Sequence, residues 1–564
     1  MPIPVLERIG RRDMVALAAL ALAAIGIPLW LAAASGAIGI PTIDDWVYTR
    51  GADSLFRTGS VDMPGHTAAS IGQLVMVQPL LWLSGGNPWA FTAFGLGMAL
   101  IGIASTYLLA RRFVGTGSAV MVVLALLAFP GFAREAAGFM TDVPAYALAV
   151  LCLLLGTRWL QGEGRRVTLV TSLGAGLLAV SIREFAIAAP AAILVAAWAR
   201  NRADERVWLA GVSGIFAAGV ACLLIAAASI PGRAEPPAPD LGGLLLIGPV
   251  FVTLAAVLLP ALALGIGQRM ATFSPEQIFL GAGLACLAVV VPWGLHPGNL
   301  WMQNGLAGDL LLSGTRDPVL GPGAWALSGQ VATFAAILLT ALAFRWGQRH
   351  LARVNSVSGA KALAIRIARR RDGLLVLFLV AYAAELVVFA PVWIYDRYLF
   401  PMVPVAAILL LRGPAQPSRF GRSRAFAHGA FAWLAISAFV IAANSFAYDA
   451  ARYREGEAAV AMGYGARTVD AGYEWVGYHA SGVGKSSAPA NDMTWSGDRW
   501  SLLHPCAVLS NSPLDGGALR LIRVNRSAYL QYLFFGPAEP LYLYGAATDG
   551  CPPPPAAVAA AKAP

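Results

Sequence analysis

Long apolar stretches, separated by short polar or basic segments, recur along the chain from about residue 14 to about residue 445. A helix that crosses the hydrocarbon core of a bilayer needs about 20 mostly apolar residues, whereas barrel strands alternate in short segments. The pattern therefore predicts an all-α polytopic membrane bundle of about thirteen transmembrane helices. The predicted spans are 14–35, 88–110, 117–130, 143–158, 168–182, 184–199, 207–230, 243–265, 277–293, 326–344, 373–392, 399–411 and 428–445.

The composition agrees with a membrane protein. Of the 564 residues, 58% are hydrophobic and 12% are charged, against about 25% charged in soluble domains. The formal net charge of +10 does not indicate a nucleic-acid partner, because the basic residues form short clusters between the apolar stretches. The first apolar stretch is long and lacks a clean small-residue cleavage site, so it is predicted to span the membrane.

The basic clusters predict the orientation. Lys and Arg are enriched in cytoplasmic loops, and the thirteen predicted spans place every basic cluster on one side. The chain is therefore predicted to be a multi-pass protein of a bacterial cytoplasmic (inner) membrane, with its N-terminus in the cytoplasm. The segments predicted on the outer face are 36–87, 130–142, the turn at Arg183, 294–325, 393–398 and everything after about 445.

The C-terminal region, residues 446–564, is richer in polar residues and turn formers and contains short β-prone pieces. It is predicted to be a small α/β domain in the periplasm or outside the cell, following a transmembrane domain of residues 1–445. Cys506 and Cys551 are the only cysteines outside the predicted spans. An oxidising outer compartment favours a disulfide between them.

Asp44 and Asp45 stand together in PTIDDWVYTR, just after the first predicted span. One interpretation is that they favour the dipole of an interfacial helix and keep the loop hydrated. A catalytic interpretation needs further acids on the same side of the membrane.

Asp142, in GFMTDVPAYALAV, supplies such an acid. It precedes a span with Pro144 in the first turn, which is also typical of a helix N-cap. Arg183 and Glu184 form a tight outer turn in SIREFAIAAP. Charged residues at membrane depth mark a polar site or an ion pair.

A fourth charged element lies in VWIYDRYLFPMVP, where Asp396 and Arg397 stand between Tyr395 and Tyr398. A tyrosine belt with a local Asp–Arg pair is one interpretation. Binding of a lipid-linked phosphate is another, because arginine presents a fork of donors to phosphate oxygens.

Together, IDDWVY, FMTDVP, IREF and YDRYLFPMVP resemble motifs of the GT-C superfamily of integral-membrane glycosyltransferases. The resemblance is to the bacterial branch akin to dolichyl-phosphate-mannose protein mannosyltransferases and lipid A aminoarabinose transferases. It covers roughly residues 10–445, is weak between the motifs, and does not extend to the C-terminal region.

This resemblance implies a sugar transferase that uses a polyprenyl-phosphate donor at the outer face, inverts the anomeric carbon, and has a lipid, glycan or protein acceptor. It implies that Asp44 is the catalytic base, with Asp45 beside it and Asp142 as the second outer acid. Many relatives have Asp-Glu where this chain has Asp-Asp, which leaves the role of Asp45 less defined than that of Asp44.

Arg183 and Arg397 are predicted to stabilise the departing phosphate. Asp142 would orient the acceptor or, with Asp44, hold a divalent cation through oxygen ligands. The sequence leaves metal binding open and indicates no other cofactor. The predicted substrate-binding residues are His66, Arg183, Glu184, Tyr395, Asp396, Arg397 and Tyr398.

Other functions stay open at this stage. A transporter or lipid flippase for a cell-envelope glycolipid would place ionisable residues near the midplane and often shows internal repeats. A receptor would not need a dozen anchoring spans, and an O-antigen ligase or polymerase would depend on outer arginines. Pocket shape, not fold, sets the sugar and the acceptor. Tyr473, Trp475 and Tyr478 are interpreted as core of the C-terminal domain and left outside the site.

Overall fold

The computed structural model describes most of the chain, with gaps. The described residues are 10–42, 44–63, 68–200, 205–230, 243–267, 319–351, 357–389, 394–412, 421–479, 505–514, 519–532, 535–546 and 551–552. The predicted span at 277–293 and the predicted site residue His66 lie outside these ranges. Within them the chain is mostly α-helical, with one small sheet near the C-terminus.

The helices of the first half are α1 (Arg11–Ser35), α2 (Asp45–Thr58), α3 (Ile71–Ser84), α4 (Trp89–Arg111), α5 (Thr116–Leu127), α6 (Phe132–Ala137), α7 (Asp142–Leu160), α8 (Arg166–Val180), α9 (Ala188–Arg200), α10 (Arg206–Ala228) and α11 (Gly243–Gly267). Those of the second half are α12 (Gly321–Leu351), α13 (Val357–Arg369), α14 (Gly373–Phe389), α15 (Met402–Leu411), α16 (Gly421–Ala461) and α17 (Tyr473–His479). Short 3-10 turns cover Glu184–Ile187 and Asp396–Leu399.

Each predicted span that lies in the described ranges coincides with a helix. Six described helices have at least 18 residues and are apolar enough to cross a membrane, namely α1, α4, α7, α10, α12 and α16. Shorter apolar helical stretches lie in α3, α5, α8, α11, α14 and α15. The multi-pass helical architecture is therefore confirmed, while the total of about thirteen spans stays a prediction.

The helices missed at the sequence level are short or amphipathic. The first outer loop, 36–87, folds as α2 and α3, and α13 carries basic residues on a polar face. Helix α16 also continues through residue 445 to Ala461. One helix therefore joins the bundle to the C-terminal region, and the division into domains 1–445 and 446–564 stays a prediction.

Basic segments predicted to face the cytoplasm meet at one end of the bundle. The Arg200 Nε donates to the carbonyl of Ala368 at 2.9 Å, and the Arg371 Nη2 donates to the carbonyl of Arg112 at 2.8 Å. Residues from the loops after α4, α9 and α13 are thus neighbours, as the predicted topology requires.

The C-terminal region contains a four-stranded sheet in the order β1 (Val469–Asp470), β2 (Ala507–Ser510), β4 (Ala538–Ala546) and β3 (Leu519–Leu530). The β1–β2 pair is parallel, and β4 is antiparallel to both β2 and β3. Cys506 and Cys551 are joined by a disulfide, with their Cα atoms 5.4 Å apart, which confirms the predicted pairing. Helix α17 follows β1 directly and turns back toward α2.

Candidate functional site

Arg397 lies between two of the predicted acids. Its Nη2 donates to the Asp44 Oδ2 at 2.9 Å, and its Nε lies 3.2 Å from the Asp142 Oδ2. The Arg397 side chain is 2% exposed, whereas that of Asp44 is 32% exposed. The buried guanidinium therefore links a buried acid to an acid that solvent can reach.

A second arginine completes the charge cluster. The Arg183 Nη2 donates to the Asp142 Oδ1 at 3.2 Å. The Arg183 guanidinium also lies 4.7 Å from the centre of the Tyr398 ring, and that of Arg397 lies 4.3 Å from the centre of the Tyr395 ring. Arginine held over an aromatic face is stabilised by the ring's electron density, so the tyrosines also fix the two guanidinium groups.

Two of these acids sit where helix capping would be expected, yet neither side chain caps a helix. Asp44 is the N-cap residue of α2, but its carboxylate makes no capping hydrogen bond. Asp142 is the first residue of α7, after the N-cap residue Thr141, and its carboxylate contacts the two arginines. Pro144 fits this first turn because it needs no backbone donor there. The starts of α2 and α7 thus position the two acids, and the carboxylate oxygens contact the arginines of the site instead of capping the helices.

The charged residues border a cavity with about 280 Å³ of empty space, counting its open mouth. Its lining combines both arginines and one acid with aromatic and small apolar side chains: Asp142, Ala145, Tyr146, Arg183, Phe185, Ala186, Tyr382, Arg397, Tyr398 and Pro401. Two buried N–H groups, the Nη1 of Arg397 and the Nε of Arg183, have no hydrogen-bond partner in the described part of the chain. Buried donors of this kind are rare unless a ligand or water accepts a hydrogen bond from them.

Neighbouring charges keep both arginines protonated. Burial alone would lower the pKa of the Arg397 guanidinium, but the negative charges of Asp142 and Asp44 outweigh it and raise that pKa. The same balance, dominated by Asp142, raises the pKa of Arg183. The cavity wall is therefore permanently cationic on one side.

Asp45 has a different environment from Asp44. Its buried carboxylate accepts hydrogen bonds from the backbone N–H groups of Thr42 and of Phe139, the latter at 3.2 Å. Burial raises the pKa of Asp45 well above its ordinary value, and the two backbone donors only partly offset this. Asp45 thus links the start of α2 to the segment before α7, and its contacts indicate a structural role.

The remaining predicted residues divide between the cavity and its support. Tyr398 lines the cavity and Tyr395 packs on Arg397. Asp396 is buried, and its Oδ1 accepts the backbone N–H of Arg397 at 2.8 Å, which shapes the 3-10 turn. Glu184 is half-buried, and its negative charge contributes to the raised pKa of Arg183.

The acids do not form a metal site in the described residues. Asp44 and Asp142 are bridged by Arg397, which supplies the positive charge that a cation would bring. No group of three or more His, Cys, Asp or Glu side chains that could hold a metal ion occurs in the described ranges. A divalent cation between Asp44 and Asp142 therefore does not fit this arrangement, because the guanidinium occupies that place.

Three residues beside the charge cluster do not belong to the predicted site. Tyr473, interpreted from the sequence as core of the C-terminal domain, donates its hydroxyl to the Asp44 Oδ1 at 3.0 Å. Glu135 is buried near Arg397 and Asp142, and Tyr48 is buried near Asp44 and Asp142. All three fall in segments predicted on the outer face, and Tyr48 also lies within the IDDWVY motif, so this location was the available signal.

No protein-family model and no curated protein matches the chain. Among solved structures, the chain is similar to ArnT from Cupriavidus metallidurans in the apo state, with 15% identity, 82% of this chain and 84% of ArnT covered, and a TM-score of 0.39. It is also similar to ArnT bound to undecaprenyl phosphate, with 14% identity, the same coverage and a TM-score of 0.37.

A third similar structure is the archaeal oligosaccharyltransferase AglB from Archaeoglobus fulgidus, in complex with an inhibitory peptide and a dolichol-phosphate. It has 13% identity and a TM-score of 0.40, and 80% of this chain and 60% of AglB are covered. ArnT and AglB are members of the GT-C superfamily. With every one of these TM-scores below 0.5, the likeness of fold is a loose one.

Proposed function

We propose that the protein is a GT-C-type glycosyltransferase that moves a sugar from a polyprenyl-phosphate carrier to an acceptor hydroxyl at the outer face of the membrane. The observation that carries this proposal is that the solvent-reachable acid Asp44 pairs with the buried Arg397, and that Arg397 and the buried Arg183 both have donors with no partner among the described residues. An inverting transfer needs a base for the acceptor and a positive site for the leaving phosphate.

Arg397 and Arg183 would hold the phosphate. The N–H groups of theirs that have no partner among the described residues lie beside the cavity. Hydrogen bonds from arginine to phosphate are charge-assisted and geometrically selective. As the bond between the anomeric carbon and the phosphate oxygen breaks, negative charge grows on that oxygen. Fixed guanidinium groups stabilise this charge without having to rearrange, which lowers the barrier.

Asp44 would act as the base. The oxygen of the acceptor hydroxyl attacks the anomeric carbon, its proton passes to the Asp44 carboxylate, and the polyprenyl phosphate leaves from the opposite side. Asp44 suits this part because it is the exposed member of the cluster, whereas Asp142 is held by both arginines at 4% exposure. Asp142 would then keep the arginines in place.

The depth of the cluster supports a lipid-linked substrate. Asp142 and Arg183 lie at the ends of apolar helices. The lining of the cavity also includes Tyr382 of α14 and Pro401, the residue before α15. Carrier lipid in the bilayer could thus present its phosphate at the boundary where the arginines lie. A transporter would hold its ionisable site nearer the membrane midplane.

The test is sugar transfer by purified protein in liposomes, with a panel of radiolabelled polyprenyl-phosphate sugars and a membrane extract as the acceptor source. Wild type is compared with Asp44→Asn and with Asp53→Asn, a control on the same helix whose acid pairs with Arg57 at the surface. Loss of transfer by at least 100-fold in Asp44→Asn alone would support the assignment. Absence of transfer by wild type with every donor would contradict the enzyme class, and equal transfer by Asp44→Asn would remove Asp44 as the base.

A further inference from the structure

Helix α17 of the C-terminal region lies against α2, the helix that Asp44 begins. The Trp46 and Tyr473 rings meet edge to face with centroids 5.9 Å apart, and the Arg50 Nη1 donates to the carbonyl of Gly477 at 3.2 Å. A Cβ atom at Gly477 would lie 2.4 Å from the Trp46 indole. The two helices are therefore in such close contact that only glycine fits at this position.

This contact brings the Tyr473 hydroxyl onto Asp44. The hydroxyl donates to the Asp44 Oδ1 at 3.0 Å, across 429 positions of sequence, while Arg397 donates to the Oδ2. Each oxygen of the proposed base is thus held by a different part of the chain. A carboxylate oxygen has a further lone pair, so both contacts leave room to accept a proton.

A chain of buried ion pairs fixes α17 in this position. The Arg134 Nη2 contacts the Asp449 Oδ2 at 2.7 Å, and the Arg452 Nη2 contacts the Asp449 Oδ1 at 2.8 Å. The Arg452 Nη1 then contacts the Glu474 Oε2 at 2.7 Å. These side chains are at most 2% exposed, so removing one partner would leave a buried charge uncompensated. The chain runs from α6 through α16 to the residue next to Tyr473.

We propose that Tyr473 is a positioning residue for Asp44, so that helix α17 of the C-terminal region is a functional part of the transfer site. The hydroxyl orients the carboxylate, because it holds the Asp44 Oδ1 while Arg397 holds the Oδ2. The catalytic consequence rests on the proposed function. The coupling between the two side chains does not, and it is measurable without turnover.

The first measurement is the rate of carbodiimide labelling at Asp44 at one fixed pH, located by mass spectrometry in the full-length protein. The Tyr473 hydroxyl occupies the Asp44 Oδ1, so Tyr473→Phe should raise the labelling rate about tenfold. The control is Tyr478→Phe on the same helix, whose hydroxyl makes no hydrogen bond within the described residues. That control should label like wild type.

Gly477→Ala provides an independent variant, because it forces α17 away from Trp46 and leaves Tyr473 intact. It should change the labelling rate in the same direction as Tyr473→Phe. Unfolding of wild type and of every variant is recorded in one detergent, which separates a local change at Asp44 from loss of the fold.

The second measurement is steady-state turnover. Tyr473→Phe should lower kcat about tenfold with KM for the donor little changed. Labelling that is identical in Tyr473→Phe and wild type would overturn the inference. A changed labelling rate together with absence of transfer by wild type would keep the coupling and contradict only the proposed function.

Discussion

The Arg397 guanidinium donates to the Asp44 carboxylate at 2.9 Å, although 353 positions of sequence separate the two residues. Asp44 precedes the first residue of α2, soon after the first apolar helix, and Arg397 lies in a 3-10 turn before one of the last apolar helices. Because Arg397 also lies 3.2 Å from Asp142, three distant segments converge on one cation. This arginine is the centre of the site in both charge and geometry.

Replacing Arg397 by lysine should therefore impair the site even though the charge is kept. A lysine ammonium is a point charge and cannot contact two carboxylates and a phosphate in the planar fork that arginine offers. We expect kcat/KM for the donor to fall about 100-fold, as for the loss of a hydrogen bond to a charged group. Steady-state transfer kinetics measure this, with Arg57→Lys on the exposed side of α2 as the control. Unchanged kcat/KM would contradict the central role of the guanidinium.

The buried Asp142–Arg183 pair should show strong energetic coupling. Asp142→Asn leaves Arg183 buried without its counter-charge, and we expect a loss of about 3–5 kcal/mol in the free energy of unfolding. Arg183→Gln removes the other partner, and the double variant should lose less than the sum by about 0.5–3 kcal/mol. Denaturant unfolding in one detergent, over all four proteins, measures the cycle. Additive effects would show that the two side chains do not interact in solution.

Glu135 should make stability depend on pH. Its carboxylate is buried, neither oxygen has a hydrogen-bond partner among the described residues, and burial raises its pKa well above the ordinary value of 4.5. The folded state then holds a proton that the unfolded state has released, so stability falls as pH rises from about 4.5 toward the folded pKa. Glu135→Gln has no titrating carboxyl at this position, so its stability lacks this dependence on pH.

The stability of Glu135→Gln relative to wild type should therefore increase with pH, by up to about 1.4 kcal/mol for each pH unit of that window. Thermal unfolding between about pH 4.5 and pH 8 measures the difference, with the exposed Glu457→Gln as the control. A difference that is constant with pH would show that Glu135 is ionised in the folded protein.

The Cys506–Cys551 disulfide should stabilise the C-terminal sheet. It closes a segment with a sequence separation of 45 residues that contains β2, β3 and β4. Loop-closure entropy for a segment of this length gives about 4 kcal/mol. The Cys506→Ser/Cys551→Ser protein should be cleaved faster by protease within residues 507–546 than wild type, with the helical bundle unaffected. Equal cleavage of the two proteins would mean that sheet packing alone holds this region.

Four of the charged residues that the motifs singled out converge in space, namely Asp44, Asp142, Arg183 and Arg397. Asp44 and Asp142 both stand at helix starts, as capping would predict, yet both carboxylates contact arginine. Asp45, adjacent to Asp44, points elsewhere and binds backbone N–H groups. Sequence adjacency says nothing about this, because consecutive residues of a helix lie about 100° apart around its axis.

The sequence by itself determined the apolar helices, the end of the bundle where the basic clusters gather and the pool of charged candidates. Each of these follows from composition and period within one segment. Only the tertiary structure decided that Cys506 and Cys551 are joined, that Arg397 bridges Asp44 and Asp142, that Tyr473 of the C-terminal region reaches Asp44, and that the segment after α1 folds as two helices. The reason is physical: which buried charge meets which counter-charge depends on how helices pack across hundreds of residues, and no local period records that packing.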